Sequence, residues 1–516
     1  MPRRDSLAVV LGFLVLWSAA IIPVLLCPLG SYPVVDASWH HVWATEIASG
    51  NTFVYAPYFR APLYPAVLGF VYFLTNGSML SGVLLSFVFG AFSVHLVHRI
   101  VFQRAGRIPS LAAASIWMIN GVNIFYSSTL LITPLYIFLL LFSFYLLERD
   151  KPQPAGWLLL GLAAIARPGA VLLFPLALVL YRKSWKNSWL MILPVLLVWV
   201  VNMYYGDGST VISSQGGINL YIGSGPEADG FTAFAPEGDG IPSDSFPYVD
   251  NVWSASYAPF EDGLRPLPSE VSSWWVRRTL DYVVDSPFRS LLLTGKKLIY
   301  LLSPVAIPGN YDVYYFTEYS PVLRILAGFP RFPVSALLMW LLLPGALLAG
   351  RLSRGERNTL LWIVCIAAGI LPFFVTARLR LPLIPLVVIL LLPRALKNMR
   401  KSLLLAPIGA AVGIGLAFAT AGTVGAGGVN MAFHDGVAHF QHGDQPGAEI
   451  LFLKAVDVAF DRQDGIDLNG VDALYNLGII SMRKRDTESA GMYWEMALLR
   501  DPGYVPAYEA LLGLTR

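Results

Sequence analysis

Five charged residues stand beside apolar runs in this chain: Asp36, Arg60, Arg167, Arg378 and Arg380. One carboxylate opposed by several guanidinium groups has a defined chemistry. The carboxylate takes a proton from an attacking hydroxyl as general base. The arginines bind a phosphate and stabilise its charge as it leaves. The set therefore suits transfer from a lipid-linked phosphate. Each member also has a plainer role open to it. Asp36, with Ser38, could cap the helix that follows; Arg60 could snorkel to headgroups. Arg167-Pro168 could be a hinge, and Arg378 and Arg380 could anchor the end of a span. Charges within or beside spans are costly and usually functional, which favours the shared site. No phosphate-cradling loop followed by Lys, no His-Glu-x-x-His and no nucleophile elbow competes with it. His40 and His41 resemble metal ligands, but adjacent side chains on a helix diverge by about 100°. No metal or cofactor is therefore assigned. His434, His439 and His442 read as surface residues, and the aromatic runs at Tyr311-Tyr315 and Trp274-Trp275 as interfacial belts.

The elements that must position this set are membrane spans. Hydrophobic residues make up 56% of the 516 residues and charged residues 13%, where a soluble chain carries roughly a quarter charged. With 36 Lys+Arg against 33 Asp+Glu there is no basic surface for a nucleic acid. Cys27 and Cys365 lie inside apolar runs and make neither a disulfide framework nor a zinc site. Apolar runs fall near 7–29, 79–102, 109–127, 129–147, 186–205, 332–350, 358–376, 381–396 and 402–424, with a hinged pair at 155–166 and 168–181. The expected architecture is mainly α, a polytopic bundle of about eleven spans over 1–425. The run at 62–75 is too short to cross. The first span reads as a retained anchor. With Met1 inside, six short segments facing the cytoplasm hold 17 of the 36 Lys+Arg but 4 of the 33 acids, as the positive-inside rule requires. The segments 30–78, 206–320 and 430–516 then lie outside with the five charges, and 206–320 is long enough for a mixed loop subdomain.

The tail over 430–516 carries a helical repeat. Leu474, Leu477-Gly478, Ala490, Trp494, Ala497 and Pro502 fit a helix–turn–helix unit of 34 residues resembling the tetratricopeptide repeat. Asp444, Ala448, Phe452 and Ala455 recur 42 residues before Asp486, Ala490, Trp494 and Ala497, with an enlarged loop near 460–468. Small residues at matching positions allow two helices to close, and the aromatic fills the gap. The pair is expected to lean on 206–320.

The motifs as a set resemble the C-type (GT-C) integral-membrane glycosyltransferases, in particular the bacterial branch similar to protein mannosyltransferases and lipid A aminoarabinose transferases. Asp36, Trp39, Trp43-Ala44, Ile47 and Gly50-Asn51 look like the stretch carrying that family's catalytic Asp. Tyr58-Phe59-Arg60-Ala61-Pro62-Leu63-Tyr64-Pro65 resembles its Pro-Leu-Tyr-Pro signature, and Ala166-Arg167-Pro168-Gly169 its Arg-Pro turn. The stretches 216–223, 228–230, 308–312 and 378–385 are similar to that branch as well. The first loop has one Asp where relatives often carry a pair, and Tyr126-Ser127-Ser128 stands where many carry an acid. The resemblance implies a polyprenyl-phosphate sugar donor, inversion at the anomeric carbon, and an outward-facing site in a bacterial inner membrane. It implies Asp36 as general base, Arg60, Arg378 and Arg380 on the donor phosphate, and Arg167, Asn219 and Tyr221 in support. The acceptor would be a lipid, a polysaccharide or a protein, the last recruited by the tail. A non-catalytic membrane scaffold binding an envelope partner through its repeats is the other class. A transporter would show duplicated halves with broken helices near the midplane, which the sequence lacks.

Overall fold

The computed structural model describes residues 2–232, 266–328, 333–423, 430–460 and 468–514. Among the described residues the chain is helical, with no strand. Three helices, Arg4–Leu25, Met79–Ala105 and Met399–Thr420, are long and apolar enough to cross a membrane, with 22, 27 and 22 residues. At the α-helical rise they reach about 33–40 Å, more than a hydrocarbon core of roughly 30 Å.

The remaining apolar runs are shorter helices, so the eleven expected spans are not eleven full-length ones. The breaks have local causes. A proline disfavours the α region in the residue before it. Arg167 accordingly lies extended (φ −143°, ψ 110°) between Pro154–Ala166 and a 3-10 turn at Pro168–Leu172, after which Leu173–Leu180 resumes. The run 109–127 stops at Met118 and restarts where Asn120 Oδ1 accepts the Asn123 N–H at 2.8 Å, opening Gly121–Tyr126. Irregular backbone at membrane depth is tolerated only when buried in protein. Residues 120–131 are buried throughout. Side chains meet their carbonyls: Trp17 Nε1 donates to Ser127 O at 3.2 Å and Ser86 Oγ to Thr129 O at 2.7 Å.

Helix Leu63–Thr75 has 13 residues, about 20 Å, and folds back on Asp36–Ala48. A Cβ on Gly69 would lie 2.7 Å from Ile47, so the glycine sets how closely the pair packs.

The described parts of 206–320 are helical rather than mixed. Two of their glycines, Gly217 and Gly223, serve close packing. On Gly216–Ser224, a Cβ at Gly217 would stand 2.0 Å from Ser272 O, and one at Gly223 2.5 Å from the Phe373 backbone. Helices Pro268–Asp285 and Pro287–Leu302 complete this part. Trp275 is buried against Tyr221 at 4.7 Å instead of lying in an interfacial belt.

The tail has two similar hairpins, Met431–Gln441 with Gln445–Phe460 and Leu468–Arg483 with Thr487–Arg500, then Val505–Leu514. Ala448, Phe452, Ala455, Ala490, Trp494 and Ala497 are all in its core. Gly436 closes on Phe452 as Gly478 closes on Trp494. Asp444 and Asp486 each accept a backbone N–H three residues on, from Gly447 and Ser489. The loop expected near 460–468 and the boundary near 425–430 lie largely outside the described residues.

The tail is bolted to the 206–320 segment. Tyr315 Oη donates to Asp435 Oδ2 at 2.8 Å, and Tyr319 Oη donates to the same oxygen. His442 Nε2 stands 3.4 Å from Ser31 Oγ, and the His434 ring lies against Tyr32. Of the three tail histidines His442 is exposed, as expected, though it touches Ser31; His434 and His439 are half-buried, and His439 Nε2 stands 3.7 Å from Asp435 Oδ1.

Candidate functional site: a carboxylate between two arginines

Asp36 opens helix Asp36–Ala48, directly after Val35 at φ 48°. A β-branched residue there is strained, and such outliers concentrate at functional sites. Both Asp36 oxygens accept from guanidinium groups, Oδ1 from Arg60 Nη1 and Oδ2 from Arg378 Nη1. The three side chains keep 15%, 19% and 13% of their surface exposed, a buried cluster with access to solvent. The Arg167 guanidinium lies over the Tyr136 ring at 4.9 Å, within electrostatic reach of Asp36 and Arg378. Burial pushes the Asp36 carboxyl up, but Arg60, Arg378 and a hydrogen bond from Arg378 hold it well below the usual carboxylate range.

Each arginine is carried by a segment tied down elsewhere. Arg60 stacks over Trp39 at 4.9 Å. Its neighbours are pinned: Tyr58 N–H donates to Asn202 Oδ1 at 2.9 Å, and Tyr58 O and Phe59 O accept from Ser214 and Gln215 at 3.1 Å. Arg378 follows the stretch 371–377, which is held by hydrogen bonds to the 206–320 segment. Ser224 Oγ donates to Pro372 O at 2.6 Å and Lys297 Nζ to Leu371 O at 3.0 Å. Val375 N–H donates to Gly230 O and Ala377 N–H to Ile307 O, both at 2.8 Å. The 206–320 segment thus builds the wall on which Arg378 sits.

Arg380 does not join the cluster. Its guanidinium donates to Tyr300 O at 2.9 Å, and to Ser303 O and Val305 O. The role expected of it on the donor phosphate is corrected: it pins the end of Pro287–Leu302. Arg378 and Arg380 share the single turn Ala377–Arg380, where residues two apart point about 200° from each other. That geometry is readable in the sequence. Tyr221 packs with Ile218, Val271 and Trp275, while Phe59 covers the same cluster; it supports the loop and the Arg60 segment rather than lining the carboxylate. Asn219 stands half-buried on the same helix.

His40 and His41 diverge, as helix geometry demands. His40 Nδ1 meets Leu130 O at 3.0 Å and His41 Nδ1 meets Tyr72 Oη at 2.8 Å. Burial pushes His40 down to about 4, against the pull of Asp36, so its ring is neutral. Among the described residues no three His, Cys, Asp or Glu side chains converge as a metal site.

The sequence reading missed Tyr311. Its hydroxyl accepts the Val34 N–H at 3.4 Å, beside Asp36, so it backs the carboxylate and is no interfacial residue. Chemically, the arrangement offers one proton acceptor and an excess of arginine charge beside it, which favours an anionic ligand. Compared with known proteins, the chain matches no family model, and no curated protein or solved structure matches it significantly.

Proposed function

We propose that the chain is a multi-pass, inverting membrane glycosyltransferase of the C type, moving a sugar from a polyprenyl-phosphate carrier to an acceptor outside the membrane. The observation that carries this reading is the Asp36 carboxylate held between Arg60 and Arg378. In this reading the chain crosses the membrane eleven times, with the N-terminus cytoplasmic and both Asp36 and the tail outside. The short helices count as crossings that pack inside the bundle.

The acceptor hydroxyl gives its proton to Asp36, its oxygen bonds to the anomeric carbon, and the bond from that carbon to the phosphate oxygen breaks. The carrier leaves as a phosphate whose added charge the arginines take up. At rest Asp36 is a weak base, because two guanidinium groups stabilise its ionised form. General bases work best near the operating pH. A bound phosphate shares the arginine charge, so donor binding strengthens the base when it is needed. The tail resembles tetratricopeptide repeats, and it is seated on the outer loop. It would hold an acceptor near the site and raise its local concentration without adding a catalytic group.

The test is Asp36→Asn in purified full-length protein supplied with a panel of polyprenyl-phosphate sugars. The amide keeps the shape but accepts no proton. Transfer should fall by about 10²–10⁴-fold, with donor binding retained. Near-normal turnover would make Asp36 structural. Absence of transfer by the wild type with every donor, alongside a retained tail-bound partner, would favour the scaffold.

A further inference from the structure

Arg378 has two edges, and Asp36 takes only one. Its Nη1 donates to Asp36, while its buried Nε–H has no partner among the described residues. A guanidinium carries five N–H groups in a fixed fork, so the edge bearing Nε can receive an oxyanion while Nη1 stays on the carboxylate. Around it, three more buried polar atoms lack partners among the described residues: Thr376 Oγ1, Asn310 Nδ2 and Tyr126 Oη. Their residues are 1%, 5% and 1% exposed, so solvent does not satisfy them readily. An unsatisfied buried polar atom in a native protein needs an explanation, and four near one guanidinium call for a shared one.

They belong to one place. Thr376 is two residues before Arg378, and a Cβ on Gly309 would touch the Thr376 side chain at 3.3 Å, which sets Asn310 beside it. Tyr126 lies within electrostatic reach of Arg378, and its neighbour Phe125 packs on Tyr311 at 5.6 Å. All four atoms can donate a hydrogen bond. The charged groups around them are Asp36 and Asp312 against Arg60, Arg167 and Arg378. Asp312 is turned to the Tyr314 N–H at 2.9 Å.

We propose that Arg378 Nε, Thr376, Asn310 and Tyr126 form an oxyanion cradle that takes the phosphate of the lipid-linked donor, with Arg378 bridging that phosphate to Asp36. The choice of ligand rests on the transferase reading. Arg378 then couples the two halves of the reaction: it ligates the leaving phosphate with one edge and orients the base with the other. The neutral donors add directional hydrogen bonds without adding charge that would weaken Asp36 further.

The test measures binding of polyprenyl phosphate to the full-length protein in neutral-lipid nanodiscs, with inorganic phosphate as competitor, beside the donor KM and kcat of sugar transfer. Thr376→Val removes the hydroxyl at nearly constant shape, Tyr126→Phe removes the phenol, and Thr376→Ser restores a hydroxyl. Each loss should weaken polyprenyl phosphate binding and raise donor KM about 2–10-fold, with kcat less affected. Thr376→Ser should match the wild type, which a merely structural role would not require. Thermal unfolding midpoints identify any variant that fails to fold, and the Ser variant then decides. If Thr376→Val and Tyr126→Phe both bind as the wild type does while the wild type transfers sugar, the cradle is wrong and the transferase reading stands. If binding weakens as expected but the wild type transfers nothing, the cradle stands and the transferase reading falls.

Discussion

Replacing Asp435 with Ala should undock the tail without unfolding it. Asp435 is fully buried and accepts the hydroxyls of both Tyr315 and Tyr319, which belong to the 206–320 segment. Hydrogen bonds to a charged group contribute about 1.5–3 kcal/mol each, so removing both costs about 3–6 kcal/mol of docking free energy. Beside it, His442 meets Ser31 and the His434 ring lies against Tyr32, and the charged cross-contact is weak by comparison. Lys454 and Glu318 meet at 3.6 Å with 46% and 57% of their side chains exposed, and exposed pairs contribute about 0–1 kcal/mol. At about 1.4 kcal/mol per decade, docking-limited amide exchange in Met431–Gln441 should quicken by about 10²–10⁴-fold in Asp435→Ala. Lys454→Ala should change it only a few-fold. Asp435→Asn should fall between them, since its amide oxygen still accepts the phenols but without the charge. Hydrogen exchange by mass spectrometry on the full chain reads this directly, with Leu468–Arg483 and Thr487–Arg500 as internal controls whose protection should hold. Protection of Met431–Gln441 within about threefold of wild type in Asp435→Ala would refute the argument. So would a larger effect from Lys454→Ala, because the ranking follows from burial alone.

Two further outcomes follow from how Arg378 is held. Gly223→Ala drives a Cβ into the Phe373 backbone, an overpacking that typically costs about 1–3 kcal/mol. It should shift 371–377 and raise donor KM, while Gly216→Ala, whose Cβ meets nothing within 4 Å, should leave donor kinetics unchanged. Arg380→Met strands three carbonyls, those of Ser303 and Val305 in buried residues. The thermal unfolding midpoint should drop while the folded fraction binds polyprenyl phosphate normally; a selective loss of donor affinity would return Arg380 to the phosphate.

The helical, apolar character of the chain was legible because hydropathy is a local property. So was the tail's pairing: Ala448, Phe452 and Ala455 against Ala490, Trp494 and Ala497 is a spacing pattern, and all six are buried together. Asp36 and Arg60 stood out because charges beside spans need partners. The lengths of the helices were less legible. Apolar runs continue through Ile119-Asn120 and Arg167-Pro168, but the backbone does not, and hydropathy does not register a lost hydrogen bond. Which arginine meets Asp36 was half-written in the sequence. Helix periodicity says that Arg378 and Arg380 face opposite ways, yet not which faces the carboxylate. Only the tertiary structure decides that, by bringing to Arg380 the carbonyls of Tyr300, at the end of a helix, and of Ser303 and Val305 just after it. The same holds for Asp435, which reads as one more acid in a polar tail until Tyr315 and Tyr319 reach it across more than 110 residues of chain. Local pattern determines what a segment is. What a buried polar atom does depends on the partner that long-range packing puts within 3 Å of it, and that partner leaves no mark at the atom's own position in the sequence.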